Sequence, residues 1–338
     1  MPKPKVLTII GPTASGKTEV SIKAAQEIKS KTGKDVEIIS ADSRQVYKHI
    51  PIATAQPSKD YLKRFKHHFI AELSLNEEFN AGEFGKRGRV IIDKIIKKGN
   101  VPVIVGGSGL YISSLIYGLF KYDEYSSPDK DEYGILSVSP LTKVRYIGGV
   151  TAKKQIREKL YEKLEKHGLD KLFYELKKVD PETADNMTQV TERRVIRALE
   201  VYHLTGMPIS ALRRKKIDVG FDSVQIGINW NRSELKERIN KRVDLMLEQG
   251  LVEEVKRLKD EGFHYKKYNS LNTVGIKEVF YYLDDLIKYD KMAELIKQNT
   301  RRFAKRQLTW FGRDKNIKWV NHDDVTSNPL HKLTDLLN

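Results

Sequence analysis

Eight residues near the start of the chain, Gly11-Pro12-Thr13-Ala14-Ser15-Gly16-Lys17-Thr18, constrain its fold more than any other stretch. They follow an apolar run, Val6-Leu7-Thr8-Ile9-Ile10, and precede a helix-like segment from Glu19 to Lys29. A glycine-rich turn between a buried strand and a helix, closing on Lys-Thr, is a phosphate cradle. Its backbone N–H groups and the helix N-terminus surround a diphosphate, Lys17 sets a point charge on the oxygens, and Thr18 offers a hydroxyl to Mg²⁺. The loop alone does not say whether that phosphate belongs to a nucleotide such as ATP or to another molecule.

The first third of the chain alternates apolar runs with helical periods. Strand candidates lie at Lys5–Ile10, Glu37–Ser40 and Val101–Val105, with helices near Thr18–Lys29, Ser58–Phe65 and Ala81–Lys98. Such alternation predicts an α/β fold, a P-loop NTPase-like parallel sheet flanked by helices. Ligands of these sheets bind beyond the carboxyl ends of the strands, so the residues after each strand carry the chemistry. Ala41-Asp42-Ser43-Arg44-Gln45-Val46-Tyr47-Lys48 follows the second strand and Gly106-Gly107-Ser108-Gly109-Leu110-Tyr111 the third, and both turns should face the cradle. A carboxylate at Asp42 can hold Mg²⁺, take a proton from an attacking group, or simply order a turn. The glycines let a backbone approach a ligand closely, and Ser108 adds a hydroxyl.

Charge narrows the partner. Among 338 residues, 61 Lys and Arg face 45 Asp and Glu, a net charge of +16 that favours a polyanion over a small neutral molecule. Zero cysteines exclude disulfides, thiolate zinc sites and a cysteine nucleophile. No signal pattern or long apolar run is present, so a cytoplasmic protein without a membrane segment is expected.

From Lys121 to Val150 the residues follow no period, and an irregular connector is expected. Helical patterns follow at Ala152–Lys166, Leu169–Lys177, Thr191–Thr205, Ser233–Gln249, Leu251–Glu261, Val274–Asp284 and Lys291–Phe311, with one returning strand at Ser223–Asn229. The expected organisation is a core beginning in 1–120, a connector plus helical insertion in 121–210, and a return to the core with basic helices in 211–338. Basic residues cluster within these helices. Arg193 and Arg197 stand one turn apart beside Arg194 and an apolar face of Val195, Ile196 and Leu199. In the last helix Ala304, Leu308 and Phe311 form a core stripe, Trp310 is expected in the core, and Arg301, Arg302, Lys305 and Arg306 form a flank that can track a phosphate backbone.

Taken together, the residues resemble the tRNA dimethylallyltransferase family, also called tRNA isopentenyltransferases, in its bacterial form. The matching stretches are GPTASGKT at 11–18, ADSRQVYK at 41–48, the His67-His68 pair, FNAGEF at 79–84, VGGSGLY at 105–111, RRVIRALEVYHLTGMPIS at 193–210, RVDLMLEQGLVEEV at 242–255, NTVGIKE at 272–278 and AKRQLTWF at 304–311. The resemblance implies transfer of a dimethylallyl group from dimethylallyl diphosphate to the exocyclic amine of the adenosine beside the anticodon of tRNA. It implies that Lys17 and the amides from Thr13 to Thr18 hold the diphosphate, with Thr18 on Mg²⁺, and that Asp42 is the general base. It further implies that Ser108 lines the channel where the substrates meet, and that Arg242 rather than Arg238 neutralises the diphosphate. Ser43, Arg44, Gln45, Arg157, Arg193 to Arg197, Arg302, Lys305, Arg306 and Gln307 are implied to contact the tRNA anticodon stem-loop. A monomer is expected. A P-loop kinase using ATP, or a nonenzymatic RNA-binding NTPase switch, would share the cradle but not the whole ordered set of motifs.

Overall fold

A computed structural model describes residues 2–118, 150–214 and 217–322. The connector expected over 121–150 therefore lies outside the described residues except for Val150, which opens a helix. The described parts of 2–118 and 218–322 form one compact unit, and residues 150–217 belong to a second.

Six parallel strands make the sheet of the first unit. They are β1 (Lys5–Ile10), β2 (Val36–Ala41), β3 (Lys66–His68), β4 (Val101–Gly106), β5 (Asp222–Asn229) and β6 (Lys318–Asn321), in the order β3-β2-β4-β1-β5-β6. The central strand β1 pairs with β4 on one side and β5 on the other, Ile9 standing opposite Val105 and Ile226. β1 and β2 are buried almost end to end, as strands covered on both faces must be. The expected return of Ser223–Asn229 to the sheet is β5, beside β1. The edge strands β3 and β6 are three and four residues long and read KHH and KWVN. Neither carries the apolar run that marks a strand, which is why periodicity does not find them.

Helices α1 (Lys17–Thr32), α2 (Lys59–Arg64) and α3 (Ala81–Lys97) connect the first four strands, and α4 (Gly109–Ile116) follows the fourth. Asn80 starts α3 by accepting the Glu83 amide on its side chain. In the second unit α5 (Val150–Val179) is interrupted at Gly168, whose φ of 76° and ψ of 170° are not helical, so two helices run where two were expected. It continues with α6 (Pro181–Asp185), α7 (Glu192–Thr205) and α8 (Ile209–Arg214). Leu160, Leu172, Leu176, Val195 and Leu199 build a core drawn from this unit alone. Back in the first unit, α9 (Arg232–Glu248), α10 (Leu251–Asp260), α11 (Ile276–Leu283) and α12 (Tyr289–Phe311) follow β5. Among the described residues no helix is long and apolar enough to cross a membrane.

Candidate active site

The cradle takes its shape from two residues in the left-handed region, Ala14 at φ 63° and Gly16 at φ 80°. Such alternation gathers successive N–H groups around an anion. Two of the amides expected on the diphosphate are already engaged: Thr13 donates to Gln307 Oε1 at 2.8 Å and Ser15 to the Pro12 carbonyl at 3.3 Å. Of the amides from Thr13 to Thr18, those of Ala14 and Gly16 and those of Lys17 and Thr18 at the first turn of α1 remain as anion donors.

A cavity of about 490 Å³ opens beside the cradle, between the carboxyl ends of β2 and β4 and the helices α9 and α12. Lys17, Thr18, Asp42, Ser43 and Arg242 all line it. Asp42 Oδ1 accepts the amides of Arg44 at 2.8 Å and Gln45 at 3.3 Å, which fixes the carboxylate at the end of β2. Ser108 is not among the lining residues. Its hydroxyl accepts the Ser43 amide at 3.0 Å, so it orders the Asp42 loop from behind.

Charge in the cavity is concentrated. Burial, and then the positive field of Arg242, lower the Lys17 pKa to about 7, against the opposite pull of Asp42. Burial also lowers the pKa of Arg242, opposed by Asp42. Arg238 stands elsewhere: its Nε donates to the Ala14 carbonyl at 3.0 Å and its guanidinium lies 4.3 Å from the Trp230 ring. It braces the outside of the cradle while Arg242 faces the ligand space.

Several side chains read from sequence as nucleic-acid contacts have internal partners. Gln307 is buried, and besides holding Thr13 it donates to the Gly107 carbonyl at 2.8 Å, tying α12 to the cradle and to β4. A Cβ on Gly107 would meet Gln307 Nε2 at 2.4 Å, so a larger residue there would push the Gln307 amide off this hydrogen bond. Arg44 donates to the carbonyls of Asn269 and Asn272. Gln45 donates to the carbonyls of Thr54 and Ala55 and accepts the Ser40 hydroxyl. Arg301 is bonded to Asn240 and Glu294 rather than forming part of the free flank.

A model of the family described as IPP transferase matches residues 45–314. The chain belongs to the IPP transferase family. The tRNA dimethylallyltransferase of Natranaerobius thermophilus is 38% identical over 330 residues, 98% of this chain and 89% of that protein. That of Salinibacter ruber is 40% identical, covering 93% and 87%. The solved tRNA isopentenylpyrophosphate transferase of Bacillus halodurans is 32% identical with a TM-score of 0.64, over 99% of this chain and 95% of that one. A eukaryotic dimethylallyltransferase solved acting on tRNA is 27% identical with a TM-score of 0.77, over 98% and 78%.

As an IPP transferase the chain is an enzyme, and those basic residues expected on the nucleic acid that are exposed lie on α12 and in the second unit. On α12, Arg302, Lys305 and Arg306 are exposed, and Arg306 lines the cavity as well. Ala304 and Phe311 are buried as expected, but Trp310 is 44% exposed, because its ring lies across Gly109 at the start of α4 instead of entering the core. In the second unit Arg193 and Arg194 are exposed, while Arg157 and Arg197 each bond the buried Glu200 at 3.0 Å. Other cavity residues carry no role in the sequence reading. His67, Thr273, Lys277 and Thr300 all line it, and the first three sit in the His67-His68 and NTVGIKE stretches, recognisable as motifs without an evident task.

Proposed function

We propose that this IPP transferase moves a dimethylallyl group from dimethylallyl diphosphate to N6 of the adenosine beside the anticodon in tRNA, releasing diphosphate. One observation carries the reading: a carboxylate and two cations, Asp42, Lys17 and Arg242, converge on one cavity at the mouth of a phosphate cradle. An adenine amine is a weak nucleophile, so the leaving diphosphate must be stabilised and the amine proton removed as the bond forms. The amine lone pair forms the bond to the allylic carbon. The carbon–oxygen bond breaks with its electron pair passing to the diphosphate, whose growing charge is met by Lys17, Arg242 and the α1 amides. With Oδ1 held by the loop amides, Oδ2 of Asp42 takes the amine proton, and its negative charge also favours the cationic carbon.

Mg²⁺ fits this site as a partner of the diphosphate. Among the described residues no cluster of three His, Cys, Asp or Glu could form a protein cage. The ion keeps waters and binds substrate phosphates, so the Thr18 hydroxyl on the cavity wall suffices as a protein ligand. When bound it supplies further neutralisation of the leaving group.

Arg157, Arg193, Arg194, Arg197, Arg302, Lys305 and Arg306 grip the anticodon stem-loop, and their phosphate contacts offset the few kcal/mol, roughly, needed to draw the base out of its stack. Ser43 touches the flipped nucleotide from the cavity wall. Arg44, Gln45 and Gln307 line the same cavity and contact the substrate while also holding its loops, and Ser108 holds the Asp42 loop. On this reading the enzyme works as a monomer in the cytoplasm, one chain supplying every group the chemistry calls on. The test is mass spectrometry of nucleosides from unmodified tRNA incubated with the protein, Mg²⁺ and dimethylallyl diphosphate, beside a reaction given ATP alone. Dimethylallyl-adenosine in the first reaction only is expected; ADP in the second without any modified nucleoside would replace the reading with a nucleotide-dependent one.

A further inference from the structure

Glu254, on α10, is a buried carboxylate outside the reaction described above. It is 1% exposed, and its two oxygens accept consecutive backbone amides from a distant loop: Oε2 that of Ile52 and Oε1 that of Ala53, each at 2.9 Å. Burying an ionisable group is unfavourable unless its polar atoms are satisfied, and here burial indeed raises the Glu254 pKa while the two amides oppose the rise. A surface loop that merely needed its amides satisfied would be served by water. A bidentate carboxylate on a packed helix does something water cannot: it fixes two successive peptide groups in place.

What the loop carries explains why that matters. Ala53, Thr54 and Ala55 form part of the cavity wall. Ala55 is held at φ 43°, a left-handed conformation unusual for alanine. The Thr54 and Ala55 carbonyls accept Gln45 Nε2 at 3.2 and 3.0 Å, and Gln56 Nε2 donates back to the carbonyls of Gln45 and Tyr47 at 3.0 and 2.9 Å. The Gln45 amide in turn donates to Asp42 Oδ1. A continuous line of hydrogen bonds thus runs from α10 through the 50–56 loop and Gln45 to the carboxylate at the end of β2.

We propose that Glu254 is a positioning residue of this enzyme: by clamping the Ile52 and Ala53 amides it sets the loop that holds Gln45, and through it the Asp42 carboxylate. The proposal rests on the reading of Asp42 as the base. Glu254→Gln keeps the shape of the side chain but places an NH₂ group against one of the two amides, where it cannot accept. The expected result is a kcat for transfer about 10 to 100-fold lower, the scale of a small misplacement of a reacting group, with the KM for both substrates within about twofold. Backbone hydrogen exchange over residues 50–56 should accelerate while that of α1 and α9 stays unchanged.

Gln45→Ala cuts the same line at its other end. Combined with Glu254→Gln it should lower kcat by no more than the stronger single change, since both act through one loop. A wild-type kcat in Glu254→Gln, or losses that multiply in the double variant, overturns the proposal. If Glu254→Gln fails to fold, Gln45→Ala decides: an unchanged kcat there refutes the line of contacts, and a lowered kcat with faster exchange confined to 50–56 supports it. Should the wild-type protein transfer no dimethylallyl group, the function proposed above falls, and unchanged exchange at 50–56 in Glu254→Gln is the separate outcome that refutes the clamp.

Discussion

Lys17 is asked to be an ammonium beside a diphosphate, yet burial and Arg242 leave its pKa at about 7 in the free protein. Below that pH it is charged before and after the ligand arrives. Above it Lys17 is neutral in the free protein and takes up a proton as the diphosphate binds, so affinity for diphosphate falls as pH rises from 7 to 9 by up to about tenfold per unit. Calorimetric titration with diphosphate at pH 8, in two buffers of different ionisation enthalpy, should show uptake of close to one proton; Lys17→Arg, charged throughout, should show less. The opposite charge gives a second expectation. Asp42→Asn should lower kcat by about 10² to 10⁴-fold, the usual contribution of a positioned base, while tRNA affinity in a filter-binding assay stays within about threefold. Near-normal transfer would remove Asp42 from that role. Both residues were legible in the sequence, because a cradle and a strand-end carboxylate are local patterns. The shift on Lys17 was not, since its burial, and after that the approach of Arg242 on α9, arise only when the chain folds.

Two helices pack closely enough that single atoms decide the outcome. A Cβ on Gly85 of α3 would lie 2.2 Å from Ser114 Oγ and 2.7 Å from the Ser114 carbonyl oxygen in α4. Alanine in a helix interior is favoured over glycine by about 1 kcal/mol, but a clash with backbone cannot be relieved by a rotamer change and overpacking costs about 1–3 kcal/mol. The clash should win: Gly85→Ala is expected to lower the urea midpoint of the sheet-bearing unit, and an unchanged or higher midpoint would contradict the packing. At this scale the sequence spoke unevenly. Long periodic stretches such as 191–205 and 251–261 match α7 and α10 to within a residue, because an apolar face and a C-terminal glycine mark them. α12 was legible as a core stripe with a basic flank, but not as the brace it also is. Gln307 reads as one more polar residue in a basic helix until the fold brings Thr13 and Gly107 to it. Trp310 misled for a related reason: aromatic size argues for burial, and only the fold brings its ring against Gly109 while leaving it 44% exposed.

The chain divides into two compact units under one net charge of +16. The charge is what a polyanionic partner demands, and it was readable from composition; its division between α12 and α7 needed the helical periods as well. Because the second unit buries its own apolar cluster, its stability can be altered without touching the cradle. Leu172 is fully buried there beside Leu160, Leu176 and Val195. Leu172→Ala removes most of a core side chain and should destabilise that unit by about 2–5 kcal/mol. Two-state unfolding is not expected of two such units, so scanning calorimetry should show one transition displaced downward and the other in place. The same variant divides the proposed tasks. At a temperature between the displaced transition and the intact one, diphosphate affinity should match the wild type, whereas tRNA affinity should fall steeply with the loss of ordered Arg157, Arg193, Arg194 and Arg197. Diphosphate affinity falling in parallel would mean that the cradle depends on the helical unit for its shape. Full tRNA affinity with the helical unit unfolded would mean that α12 alone carries the grip.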